Sequence, residues 1–291
     1  MQMTRTGSRL LVKAPAKLNL FLEVLGRRPD GFHDIETVMQ TITIWDELTL
    51  EGAERDVRLV TDSPEVPASA DNLVVRAAEA LREHTGCRLG AAIHLKKNIP
   101  VGAGLGGGSS DAASTLVGLN RLWKLDLPLE RLHDLASQLG SDVAFFLYGG
   151  TALCRGRGER VAPVTSGRLM TYVVVYPGIN VSTKEVYEKL PADLTRDFRK
   201  TKLLLGDITN DAASGAVPRF FNRLEEVTVN LYESLRSLRR QMTRSGLERV
   251  TMTGSGSAFF GLARGGKEAC ESADSLREMS VGEVFIAEST R

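Results

Sequence analysis

Between Gly102 and Gly108 the chain sets five glycines in seven residues, followed at once by Ser109-Ser110-Asp111 and a run of helical periodicity. Glycine loses more conformational freedom on folding than any other residue, so such a density needs a structural return. The predicted return is a loop whose backbone N–H groups converge on a large anion. A helix start adds N–H groups without intrahelical partners and the positive end of the helix dipole, and phosphate is the expected guest. A flexible glycine linker would not pass directly from an apolar strand (Ala91 to Leu95) into a helix.

The surrounding pattern is α+β. Leu10–Ala14 and Lys17–Val24 alternate with period two and read as strands interrupted at Pro15. Ile35–Leu50 and Val57–Val60 add further β sequence, and Asp71 is expected to cap a helix that Gly86 ends. Apolar residues from Ala113 to Leu122 recur at helical spacing, Leu129–Leu139 ends at Gly140, and Ser141-Asp142 heads a short apolar helix to Tyr148. Strands are expected at Met170–Tyr176, Arg249–Met252 and Val284–Ala287, and helices across Ser182–Arg244 and Lys267–Glu278. Strand runs and helix runs without regular βαβ alternation argue against a doubly wound sheet.

At 291 residues two domains are expected, and the Gly-, Arg- and Pro-rich stretch Arg155–Gly167 divides the chain into 1–160 and 161–291. A formal net charge of +1 supplies no global field for nucleic acid or an anionic membrane. Arg236, Arg239, Arg240 and Arg244 do gather, and read as a solvated helix face. Cys87, Cys154 and Cys270 are odd in number and widely spaced, which predicts reduced thiols and a cytoplasmic setting. No apolar run approaches the ~20 residues of a membrane span, and no H-E-x-x-H or paired-cysteine metal motif is present. No obligate protein partner is indicated.

Known phosphate loops separate on spacing. No lysine follows Gly106, Gly107 or Gly108, so the P-loop pattern fails. The protein-kinase loop needs H-R-D and D-F-G downstream, and neither occurs. Gly102, Gly104 and Gly107 fit G-x-G-x-x-G, but Pro100 intervenes after the strand and Asp126 lies between helical segments.

The run Pro100-Val101-Gly102-Ala103-Gly104-Leu105-Gly106-Gly107-Gly108-Ser109-Ser110 resembles the phosphate loop of the GHMP small-molecule kinases, and Thr253-Gly254-Ser255-Gly256-Ser257 their third motif. Ala14-Pro15-Ala16-Lys17-Leu18-Asn19, Arg28 to His33, Asp71-Asn72-Leu73 and Leu139 to Val143 are similar to the members acting on a cytidylyl-linked alcohol. The resemblance implies a two-domain kinase with an N-terminal ATP-binding domain and a smaller C-terminal α+β domain. It implies Lys17 and Asp142 as the catalytic pair, Asp142 taking the proton of the substrate hydroxyl and Lys17 meeting the transferred phosphoryl group. Residues 100–110 would hold the ATP phosphates, with Asn72 and Lys97 on the adenine side. Asn19, Phe32, His33 and Tyr187 would bind the cytidylyl substrate, Phe32 and Tyr187 on the faces of the base and His33 at its edge. Mg²⁺ is implied with ATP; Ser110 is its one candidate ligand, and the family's metal carboxylate has no counterpart here. Two alternatives stay open: a kinase of the same family with a smaller alcohol substrate, such as homoserine or mevalonate, and a nucleotide-binding protein without turnover.

Overall fold

The computed structural model describes residues 1–166, 169–191, 198–209 and 217–290. The elements run β1 (Gln2–Thr6), β2 (Arg9–Arg27), β3 (His33–Ala53), β4 (Val57–Thr61), α1 (Leu73–Thr85), β5 (Gly90–Lys96), α2 (Gly107–Leu122), α3 (Leu129–Leu139) and α4 (Val143–Tyr148). They continue β6 (Thr151–Gly156), β7 (Arg160–Val164), β8 (Thr171–Tyr176), α5 (Thr183–Glu188), α6 (Phe198–Thr209), β9 (Phe221–Asn222), α7 (Arg223–Leu231) and α8 (Glu233–Arg244). β10 (Glu248–Met252), β11 (Phe259–Ala263), α9 (Gly266–Glu278) and β12 (Glu283–Glu288) complete the chain. The α+β expectation holds, and parts of the expected Ser182–Arg244 helical run lie outside the described residues.

By packing the chain forms two interleaved units. One comprises 1–16, 44–101 and 106–149; the other comprises 17–43, 102–105 and 150–291. The expected division at residue 160 follows the chain, whereas β2 and β3 each begin in one unit and end in the other.

In the first unit the strands follow the order β1-β2-β3-β5-β4, β5 antiparallel to β3 and parallel to β4. The helix α2 lies against this sheet because Gly118 carries no side chain. A Cβ there would stand 2.3 Å from Leu50 Cδ1 and 3.3 Å from Val12 Cγ2. In the second unit β3 pairs with β6, β6 with β7 and β2 with β9, while a separate antiparallel sheet runs β10-β11-β8-β12. Its core joins Val173 and Val175 of β8, Phe259 of β11 and the α8 stripe Leu235, Leu238 and Met242. Full burial of each such side chain is worth about 1.5–3 kcal/mol.

Four expectations are corrected. Pro15 does not divide β2, which runs unbroken for 19 residues; proline's fixed φ suits an extended strand and costs only one donor. The change comes at Lys17, whose N–H turns to Leu105 O at 2.9 Å, in the glycine loop. The Arg155–Gly167 stretch does not begin as a linker: its first part forms the β6–β7 hairpin, with Arg155 paired to Arg160. Helix α1 is capped by Asn72, whose side chain accepts from Val74 N, in place of Asp71. Helix α2 starts at Gly107, two residues before the expected serine, behind a left-handed Gly106 at φ 73°.

Candidate active site

The glycine loop is shaped by what a side chain would strike. Gly102, Gly104 and Gly106 all have left-handed backbone, at φ 68°, 79° and 73°. At Gly104 a Cβ would lie 2.3 Å from Thr253 O and 3.1 Å from Gly256 O, so the first half of the loop packs backbone to backbone on the third motif. Ala258 N donates to Ala103 O at 3.1 Å and fastens the same contact.

Lys17 and Asn19 stand two residues apart on one face of β2 and are 3% and 2% exposed. Lys17 Nζ donates to Asn19 Oδ1 at 2.5 Å, while Asn19 Nδ2 donates to Thr37 Oγ1 at 2.9 Å. The Thr37 hydroxyl passes its own proton to Phe21 O at 2.6 Å, which leaves Asn19 one orientation. Thr253 Oγ1 accepts from Asn19 N at 3.0 Å and has Asn19 Oδ1 and Gly104 O within 3.3 Å as acceptors. Lys17, Asn19, the loop residues 102–105 and the third motif therefore form one hydrogen-bonded set. Thr253 is the member that the sequence reading left out, although it opens the motif already identified.

His33 and Tyr187 meet ring to ring, centroids 4.9 Å apart and tilted by 31°. Partial burial, helped by the positive charge of Arg27, pulls the His33 imidazole below its ordinary pKa. It is neutral at pH 7, with one donor and one acceptor to offer a base edge. Phe32, 51% exposed, has the Arg157 guanidinium 5.0 Å from its ring centroid. Nothing in the sequence marked Arg157, because this pairing depends on the β6–β7 hairpin.

In the first unit the second half of the loop opens α2, and Ser110 N donates to Gly106 O at 2.9 Å. Ser110 is inside the helix, fully buried, and its Oγ has no hydrogen-bond partner. Asp142 heads α4 and makes no side-chain capping bond. Its helix is anchored by the buried run Val143–Phe146. Two other expected nucleotide contacts have local employment. Asn72 Oδ1 caps α1 at 2.9 Å and its Nδ2 donates to Pro67 O at 2.8 Å. Lys97 Nζ donates to Asp46 Oδ2 and, at 2.8 Å, to Asp111 Oδ2. It lies beneath the start of α2, 3.1 Å from where a Gly107 Cβ would sit.

That buried group holds two carboxylates against one ammonium. Asp46 Oδ1 also accepts from Asn98 N at 2.6 Å and Ile99 N at 2.9 Å. Asp111 carries the surplus: burial, reinforced by Asp46 and opposed by Lys97, pushes its carboxyl up to about 8. The folded chain then holds a proton that the unfolded chain has released above about pH 4, so stability falls as pH rises through this range. Asp111→Asn is expected to flatten the decline in melting temperature between pH 5 and 8. An unchanged slope in the variant would show that the proton resides elsewhere.

Comparisons with known proteins place the chain in a family. Residues 72–150 match the GHMP kinases N terminal domain. The 4-diphosphocytidyl-2-C-methyl-D-erythritol kinase of Geobacillus thermodenitrificans is 44% identical over 87% of this chain and 88% of its own. The Bacillus subtilis enzyme of the same name is 41% identical over 88% and 89%. A crystal structure of 4-(cytidine 5'-diphospho)-2C-methyl-D-erythritol kinase superposes with a TM-score of 0.83 at 38% identity, covering 97% of this chain and 99% of the other. Homoserine kinase from Cytophaga hutchinsonii, at 19% identity and a TM-score of 0.77, shares the fold. These matches define a small-molecule kinase of the GHMP class. The chain belongs to the 4-diphosphocytidyl-2-C-methyl-D-erythritol kinase family.

Proposed function

We infer that this chain transfers the γ-phosphoryl group of ATP to the 2-hydroxyl of 4-diphosphocytidyl-2-C-methyl-D-erythritol, giving the 2-phosphate and ADP, a step of the non-mevalonate isoprenoid pathway. The family carries this reading, and within the structure one observation supports it most. The glycine loop that suits a triphosphate is hydrogen-bonded to a buried lysine through the third motif. Phosphoryl transfer asks chiefly for positioning and for neutralising charge on the moving group.

In this reading the backbone N–H groups of residues 100–110 receive the ATP phosphates, and the start of α2 adds its dipole. Lys17, held by Asn19, presents a positive charge to the phosphoryl group. Asp142 orients the substrate hydroxyl and accepts its proton, which moves late in a loose transition state, so a weak, well-aimed acceptor suffices. The partnerless Ser110 hydroxyl fits a role as ligand to Mg²⁺ accompanying ATP, a metal that commonly binds through phosphates with few protein ligands. When bound, Mg²⁺ neutralises phosphate charge. His33, Phe32 and Tyr187 receive the cytosine. Among the described residues no helix is long and apolar enough to cross a membrane.

An ADP-release assay across three alcohols tests the substrate. The cytidylyl compound is expected to turn over, and mevalonate and homoserine to leave ADP release near background. Preference for either small alcohol would move the assignment to another branch of the class. His33→Ala is expected to raise KM for the cytidylyl substrate at least tenfold while changing kcat much less, because an edge contact to the base binds ground and transition state alike. Equal KM in variant and parent would remove His33 from the site.

A further inference from the structure

The arginines of α8 are exposed, as expected of a solvated helix face, and they also share one wall of a cavity. Arg236, Arg240 and Arg244 recur at four-residue spacing, with Arg239 beside Arg240, while Leu235, Leu238 and Met242 form the buried stripe of the same helix. The four arginines line a cavity of about 960 Å³ whose other walls come from β9, α7 and β10. A fifth guanidinium reaches it from β10 in an unusual way. The β10–β11 register shifts between Glu248 and Thr251, and Arg249, inside that irregularity, has a left-handed φ of 53°. A bulky residue rarely accepts such a backbone, and bulges characteristically re-aim a side chain.

The charge in the cavity is unbalanced. Arg239 pairs with Glu225 at 3.0 Å, and Arg223 makes a two-point contact with Glu23. Arg240, Arg244 and Arg249 form no ion pair among the described residues. Like charges at i, i+4, as in Arg236/Arg240 and Arg240/Arg244, repel only weakly on an exposed helix face, and a bound anion would relieve that repulsion. Phe220, Phe221, Val229 and Val250 contribute apolar lining to the same cavity. We propose that this cavity is a second ligand site, for a small organic diphosphate whose phosphates meet the three unpaired arginines and whose apolar group rests on the phenylalanines. Guanidinium forks match phosphate oxygens two at a time, and the volume suits a ligand of that size. The cavity is open to solvent, its basic residues are confined to one lining that also includes Glu225 and Glu226, and the chain's net charge is only +1, which suits a small anion better than the extended track of a nucleic acid.

The site also has a route to the third glycine motif. Glu225 holds Arg239 with one oxygen, and with the other accepts Thr251 Oγ1 at 2.6 Å and Met252 N at 3.0 Å, directly before Thr253. Asn222, also in the cavity wall, donates to Met252 O and Gly254 O, each at 2.8 Å. An anion drawing Arg239 from Glu225 would alter what holds this loop, and with it the kinetics.

Equilibrium dialysis of the whole protein with a short alkyl diphosphate and with pyrophosphate tests the proposal, under saturating ADP so that the phosphate loop is filled. Saturable binding is expected, several-fold tighter for the alkyl compound and at least tenfold weaker for both in the Arg240→Ala/Arg244→Ala/Arg249→Ala variant. The variant should keep its melting temperature and basal turnover, while the alkyl diphosphate changes KM or kcat in the parent alone. Absent saturable binding, or equal binding by the variant, overturns the site. Equal affinity for pyrophosphate overturns the organic half of the assignment, and unmoved kinetics overturn the link to the loop. A single-stranded oligonucleotide held by the same arginines with a steep salt dependence would replace it with a nucleic-acid surface.

Discussion

Asp142→Asn is expected to bind ATP as the parent does and to phosphorylate its substrate roughly 10²–10⁴-fold more slowly, the scale of losing a positioned proton acceptor. The substitution is close to isosteric. Asp142 spends no side-chain bond on capping α4, and the helix is held by Val143, Ala144, Phe145 and Phe146, all buried. The melting temperature should therefore stay within a few degrees, which separates a chemical defect from a folding one. Single-turnover measurement with nucleotide binding followed in parallel makes the distinction. A variant that turns over at the parental rate would take Asp142 out of the mechanism.

The second large effect is expected at Gly104→Ala. The added methyl carbon would fall 2.3 Å from Thr253 O, 3.2 Å from Thr253 C and 3.1 Å from Gly256 O. These are backbone atoms, so no rotamer change relieves the overlap. The left-handed backbone at φ 79° adds roughly 1–2 kcal/mol for a residue with a Cβ. The glycine loop must then part from the third motif, disturbing Asn19 and Lys17 through Thr253. We expect kcat/KM for ATP to fall at least a hundredfold. Gly7→Ala is the control: it shares the positive φ, at 60°, but a Cβ there meets nothing within 4 Å. It should lose only the backbone contribution to stability and none of the activity. Similar losses in the two variants would mean that the contact between the loops does not matter.

Much of the fold was legible in local pattern. Alternation located β2, helical spacing located α2, stop and start residues at Gly140 and Ser141-Asp142 located α3 and α4, and the glycine runs located both loops, because each signal arises within a few residues of chain. Boundaries that depend on which group completes a hydrogen bond were less legible. Asn72 rather than Asp71 caps α1, and α2 begins on glycines because Gly106 can turn left-handed. The β6–β7 hairpin had the composition of a linker, since its register is set by pairing across the sheet and not by its own residues.

The amino-acid sequence on its own determined the class of chemistry, through the order of its glycine-rich and flanking motifs, which identified the family. Only the tertiary structure decided how individual side chains are employed. It gave Lys97 to two buried carboxylates, put Thr253 between Asn19 and Gly104, and gathered arginines from α8 and a β10 irregularity into one cavity. The physical reason is distance along the chain. A backbone conformation is written in its neighbours, whereas the partner of a charge or hydroxyl is chosen by packing between residues tens to hundreds of positions apart.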